Sequence, residues 1–153
     1  MTVLTGSGGR YMGDSGAFGV RMLAEALANA PKEFRPKLRT ALSGAGSAVR
    51  AAAASNASWS SRIPDSLSVR TRFAGSRPGV YVVASRSKAP HARPLEGITG
   101  NAEFRHPFFG NRDYWFPQDT RPFLAPAVQS EGDGAMANVK SALDDALRQV
   151  GLT

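Results

Sequence analysis

The chain has 153 residues, 42% of them hydrophobic and 20% charged, a composition typical of a folded globular domain rather than a disordered chain. It contains no cysteine, which excludes disulfides, thiolate metal sites and a cysteine nucleophile. No run approaches the roughly 20 apolar residues that span a bilayer, and residues 1–9 lack the pattern of a secretory signal. We therefore expect no membrane association.

The net charge is +7 and is unevenly distributed along the chain. Residues 1–73 carry ten basic against four acidic residues, whereas residues 122–153 carry two against four. An uneven charge distribution of this kind is compatible with binding to nucleic acid, to an acidic protein or to another copy of the same chain. Composition alone does not distinguish these partners.

Two helices are predicted in the first third of the chain. Residues 1–13 are rich in glycine and indicate a mobile N-terminal arm, followed by a single domain over residues 14–153. A first helix is expected to begin at Asp14 or Ser15 and to end before Pro31. A second begins at Pro31 or near Pro36 and continues through an alanine-rich stretch. The flanks of this second helix form a candidate basic face: Lys32, Arg35, Lys37, Arg39 and Arg50.

Strands and a last helix follow. Residues 67–73 alternate between apolar and polar side chains, and residues 80–84 are apolar, which predicts a β-hairpin across a Gly/Pro turn. Residues 87–103 are predicted to be irregular. A second hairpin is expected over 104–109 and 114–116, joined by a turn at 110–113. The last helix should run from about Asp133, which would cap it, to Val150.

This order of elements predicts an α+β fold. Helices do not alternate with single strands, so a parallel doubly wound sheet is not expected. Two N-terminal helices and one C-terminal helix would cover one face of a small antiparallel sheet of hairpins.

A search for catalytic chemistry identifies no site. His91 and His106 lie in proline-containing stretches without metal-ligand spacing. The adjacent pair Asp144 and Asp145 would point about 100° apart on a helix and could not share a proton. No spacing groups the loop carboxylates into a nuclease-like cluster, and no serine-nucleophile motif is present. We expect no enzyme activity, no metal and no cofactor.

Residues 104–116 hold six aromatic side chains in thirteen positions. A short hairpin cannot bury all of them on one face, so either the last helix covers them or some meet another chain. The candidate interface consists of Phe108, Phe109, Tyr114, Trp115 and Phe116.

Three short motifs, in order, carry a family resemblance. They are Ala-Pro-His-Ala-Arg-Pro-Leu-Glu at 89–96, Phe-Arg-His-Pro-Phe-Phe-Gly-Asn-Arg-Asp-Tyr-Trp at 104–115, and Arg-Pro-Phe-Leu-Ala-Pro-Ala at 121–127. This segment, about a quarter of the chain, resembles the neck or tail-completion (head–tail joining) proteins of siphophages that infect actinobacteria. Many of those proteins have an aromatic residue in a Glu-Phe-Gly-Thr-like step, where this chain has Glu96-Gly97.

The resemblance implies a non-enzymatic virion protein made in the host cytoplasm. It would form a homo-oligomeric ring of six subunits between the head-completion or stopper protein and the tail terminator or tail tube. Genomic double-stranded DNA would pass through the lumen, and the ring would contact it through the charge of its backbone without reading its bases. Two alternatives remain open: another ring such as the terminator or stopper itself, and a nonspecific DNA-binding protein.

Overall fold

A computed structural model of the protein describes residues 17–20, 32–73, 79–97 and 102–149. Five strands and four helices occur in these ranges. In chain order they are β1 (Ala17–Val20), α1 (Arg35–Asn56), α2 (Ile63–Ser66), β2 (Leu67–Arg72), β3 (Gly79–Ala84), α3 (Ala92–Glu96), β4 (Glu103–Phe108), β5 (Asn111–Asp119) and α4 (Leu124–Gln149).

The body of the fold is built on an antiparallel sheet with the order β1-β3-β2. The central strand β3 is buried along its whole length. Its side chains alternate: Val80 and Val82 join the core clusters that contain helix residues, whereas Tyr81 and Val83 form a separate cluster on the opposite face.

Helices α1 and α4 pack against each other in an antiparallel arrangement. Leu42, in the first half of α1, shares a core cluster with Val139, in the second half of α4. Val49, about two turns further along α1, shares the other cluster with Phe123 and Leu124, where α4 begins. The helix pair and the sheet therefore enclose two clusters of apolar side chains, one near each end of the helix pair.

Gly46 sets how closely α1 approaches the sheet. A Cβ atom at this position would lie 2.6 Å from Cγ1 of both Val69 and Val80, closer than such atoms can approach. A Cβ at Gly44, on the solvent side of the same helix, would have no neighbour within 4 Å. Of the two glycines, Gly46 is therefore the one that the packing requires.

The predicted α+β class is confirmed, with helices on one face of a small antiparallel sheet. The predicted first helix is wrong over residues 17–20, which form β1 and pair with β3 from Ala17↔Val83 to Val20↔Val80. Pairing with a buried central strand overrides the helical spacing there. The rest of that helix, and the N-terminal arm over residues 1–13, lie outside the described residues.

The last helix begins nine residues earlier than predicted. It starts at Leu124 rather than Asp133, so Asp133 lies within the helix and does not cap it. Pro126 lies in the first turn of α4, where backbone N–H groups have no acceptor within the helix. Proline, which lacks an N–H, therefore loses no helical hydrogen bond there. The stretch predicted to be irregular also contains the short helix α3, which supplies the cap described below.

Candidate interaction surface

Strands β4 and β5 form a separate two-stranded sheet, here called the aromatic hairpin (residues 103–119). Phe104, near its root, packs partly against the core. Every residue from Phe108 to Asp119 is exposed. An isolated two-stranded hairpin is only marginally stable in water, so this one depends on its contacts with the body at the root.

All five residues of the predicted interface are exposed in this hairpin. Phe109 is 94% exposed at the tip, and the other four range from 44% to 65%. Of the two alternatives raised by the sequence, burial of these side chains under α4 is therefore wrong for the described residues. Their role in binding another chain stays a prediction.

The hairpin turn differs from the predicted one. Phe109 and Gly110 form a two-residue loop between the paired residues Phe108 and Asn111, whereas the sequence predicted a turn over 110–113. Both loop residues have positive φ angles, 46° and 83°, as type I′ turns require. Asn-Gly is the favoured pair in this turn, and a phenylalanine with positive φ is conformationally unfavourable. The chain therefore presents an exposed aromatic side chain at a position that local energetics assigns to asparagine or glycine.

Aromatic side chains occupy both faces of the hairpin. On one face Phe116 lies opposite His106 and 5.0 Å, centroid to centroid, from Phe108. On the other face Trp115 lies opposite Pro107. The indole N–H of Trp115 donates to the Arg112 carbonyl at 2.7 Å, across a bulge whose residues 112–114 have no partner on β4.

Two prolines remove hydrogen-bond donors from the outer edges of the hairpin. The Thr120 N–H donates to the Ala102 carbonyl at 2.7 Å just beyond the ladder. Because hydrogen-bonded and non-bonded pairs alternate in antiparallel sheets, Arg105↔Pro117 and Pro107↔Trp115 are non-bonded pairs. Each proline therefore lacks an N–H that would point outward, which disfavours addition of another strand. The hairpin is better suited to contact through side chains.

The five residues of the predicted basic face are exposed, but they do not form one surface. Arg39 stacks on Phe73 at 4.9 Å, and the Arg50 Nε donates to the Leu67 carbonyl at 2.8 Å, so both brace α1 against β2. Lys37 lies about 200° around the helix from Arg35, and Lys32 precedes the helix. Around the helix, Arg35, Arg39 and Arg50 fall within about 60° of one another, whereas Lys37 lies on the opposite side.

Glu96 is a structural residue that sequence reasoning missed. Its buried carboxylate accepts hydrogen bonds from the backbone N–H groups of Phe123, Leu124 and Ala125 at 2.7 to 2.9 Å. These are N–H groups at the start of α4, which have no acceptor within the helix. Burial raises the pKa of the Glu96 carboxyl above its ordinary value, although the three N–H donors act in the opposite direction.

This cap also fixes the root of the aromatic hairpin. Glu96 ends α3, and the Arg121 N–H, just after β5, donates to the Leu95 carbonyl at 2.7 Å. The chain therefore leaves the body after α3 and returns beside it. The only signal in the sequence was a glutamate followed by a glycine, and Gly97 does adopt a left-handed conformation, with φ 85°.

The described residues contain no group of three or more His, Asp or Glu side chains that could hold a metal ion. The His106 Nδ1 lies 3.2 Å from the Pro107 carbonyl, and Asp145 lies 3.9 Å from Arg148 at the exposed surface. In the same ranges no helix is both long enough and apolar enough to cross a bilayer.

Comparison with known proteins adds no further information on identity. No family model matches the chain, and neither a curated protein nor a solved structure is significantly similar to it.

Proposed function

We propose that this protein is a non-enzymatic structural subunit of a long-tailed bacteriophage virion. It would act at the neck, in a tail-completion ring that joins the head to the tail. The observation that carries the proposal is the aromatic hairpin, which presents five exposed aromatic side chains on a projection held at its root. Aromatic residues are the preferred anchors of protein interfaces.

The energetics of the tip support a binding role. Phe109 adopts a φ angle unfavourable for phenylalanine and is almost fully exposed, so it contributes nothing to the core. Its ring meets that of Phe108 edge-on, with 4.5 Å between centroids, and the rest of its surface is open to a partner. Strained residues at exposed positions are more common where the side chain has a function. Contact with another protein would bury Phe109 and offset the cost of the turn.

The resemblance of residues 89–127 to siphophage neck proteins supports the assignment to the tail-completion ring of the neck. The ring would sit between the head-completion or stopper protein and the tail terminator or tube. Genomic DNA would pass through its lumen without base-specific contacts. In this arrangement the protein works mechanically: it completes the tail end, offers a docking surface and leaves a channel open.

The decisive experiment removes the gene from the phage or prophage that carries it and images the lysate by negative-stain microscopy. We expect DNA-filled heads and separate tails, with joined particles restored by the wild-type gene. A hairpin variant, Phe109→Ser with Tyr114→Ser, should not restore joining, because it lacks two exposed anchors. The matched surface variant Lys140→Ser, on the exposed side of α4, should restore it.

Joined, infectious particles that contain no copies of the protein would refute the proposal. Incorporation at a different level of the neck or tail, seen by imaging of labelled protein, would favour another ring such as the terminator or stopper. The pI of about 10.6 motivates the DNA-binding alternative. Absence from particles, together with duplex binding that weakens steeply with salt, would favour that alternative.

A further inference from the structure

Two carboxylates lie opposite each other at the root of the aromatic hairpin, on the face that also carries Arg105. Glu103 and Asp119 are directly paired across the strands, and both are exposed. Within the described ranges neither forms an ion pair. Like charges directly opposite each other destabilise an antiparallel pair, so a cation supplied from outside would stabilise this hairpin.

The exposed aromatic area of the hairpin corresponds to one side of a small protein interface. The exposed fractions of the five aromatic side chains amount to about three whole side chains, or roughly 600 Å². A standard interface buries about 800 Å² on each partner. Because these side chains lie on both faces and at the tip, one contact would bury only part of this area. The face that carries Glu103 and Asp119 also carries Trp115, so a partner on this face should be basic and able to pack against an aromatic ring.

The same chain carries a surface of that chemistry on β2. Arg70 and Arg72 are exposed, and as residues two apart on an edge strand they lie on the same face, about 7 Å apart. Arg72 already lies over the ring of Tyr81 at 5.7 Å, a geometry in which a guanidinium group binds an aromatic face. Neither arginine forms an ion pair within the described residues.

We propose that the aromatic hairpin binds a second copy of this chain, with Glu103 and Asp119 facing Arg70 and Arg72 of that copy. Trp115, on the same face as the two carboxylates, then packs on the surface beside these arginines. The inference rests on the proposed ring and names the contact that builds it. A hairpin that binds a different surface on the next copy makes a head-to-tail contact, which closes into a ring when the rotation fits.

Duplex DNA is a poorer occupant of this surface, because its phosphates would be repelled by the two carboxylates. A basic surface on a different neck protein remains the competing occupant, and the experiment separates it from self-association.

The test uses charge reversal in the full-length purified protein. The hairpin variant carries Glu103→Lys and Asp119→Lys, and the strand variant carries Arg70→Glu and Arg72→Glu. Sedimentation velocity at low salt should show self-association of the wild type, and each variant alone should associate at least about tenfold more weakly. An equimolar mixture should recover association, because each hairpin then meets a strand of opposite charge. Asp133→Lys with Asp145→Lys, which changes the net charge equally from exposed positions on α4, should leave association unchanged.

A wild type that stays monomeric at high concentration would overturn the inference. So would a hairpin variant that associates like the wild type, or a mixture that fails to recover although both variants fold by circular dichroism. The proposed function is judged separately. Virions that contain a protein monomeric in solution would refute only this contact, whereas self-association by charge pairing in a protein absent from virions would refute only the neck assignment.

Discussion

Replacement of Glu96 by alanine should destabilise the protein by about 3 kcal/mol at neutral pH. The substitution removes the acceptor of three N–H groups at the start of α4. The N–H groups of Phe123 and Leu124 are buried, and a buried donor without an acceptor costs roughly 1–3 kcal/mol. The Ala125 N–H is partly buried and can bond to water. Relief of the desolvated carboxylate offsets part of the total.

Urea unfolding followed by circular dichroism measures this change. With a slope of roughly 2 kcal/mol per molar urea, the midpoint should fall by about 1.5 M. Glu103→Ala removes an exposed carboxylate and provides the control, for which we expect a change within about 0.5 kcal/mol. If Glu96→Ala unfolds within 0.5 kcal/mol of the wild type at an unchanged slope, the capping argument is wrong.

Three further predictions concern pH, packing and the hairpin turn. Burial raises the pKa of Glu96 in the folded state. The wild type should therefore lose stability relative to Glu96→Gln as the pH rises from about 4.3, the ordinary glutamate pKa, through the raised pKa. Urea unfolding of both proteins from pH 4 to pH 7 measures this difference, and a difference that does not change with pH would contradict it. Gly46→Ala should cost about 1–3 kcal/mol because its Cβ would overlap two valines of the sheet, whereas Gly44→Ala should stabilise by up to about 1 kcal/mol; thermal unfolding that ranks the two variants alike would refute this account of the packing. Phe109→Asn creates the favoured turn pair and should leave the unfolding temperature unchanged or raise it, while weakening any association measured by sedimentation; a clear loss of stability would show that Phe109 supports the turn.

The sequence predicted the elements whose signals are local. The buried stripe of α1 and the alternation of β2 follow from side-chain periodicity over a few turns or residues, and both helix and strand are present. The predictions failed where the cause is distant. Strand β1 depends on β3, whose paired residues lie 60 to 66 positions later in the chain. The first turn of α4 depends on Glu96, which precedes it by 27 to 29 residues.

Within the candidate site, the exposure of aromatic residues could be predicted from the sequence, but the geometry of the hairpin turn that carries them could not. The number of aromatic side chains in so short a segment required that some face outward. The tip depends on a positive φ at Phe109, which no propensity rule assigns to phenylalanine. The division of the basic face could have been foreseen from the helical period alone, because Lys37 and Arg35 are only two residues apart.

The anchoring of the aromatic hairpin makes it a replaceable module. Its two ends leave the body at neighbouring points, joined by the hydrogen bond between Arg121 and Leu95, while Glu96 secures the adjoining helix. The hairpin contributes no buried residue to the core beyond the partial packing of Phe104 at its root. Strand lengths and tip residues can therefore change to match a different partner without redesign of the body. Exchange of residues 105–117 between related chains should transfer partner preference while leaving the recipient's fold intact.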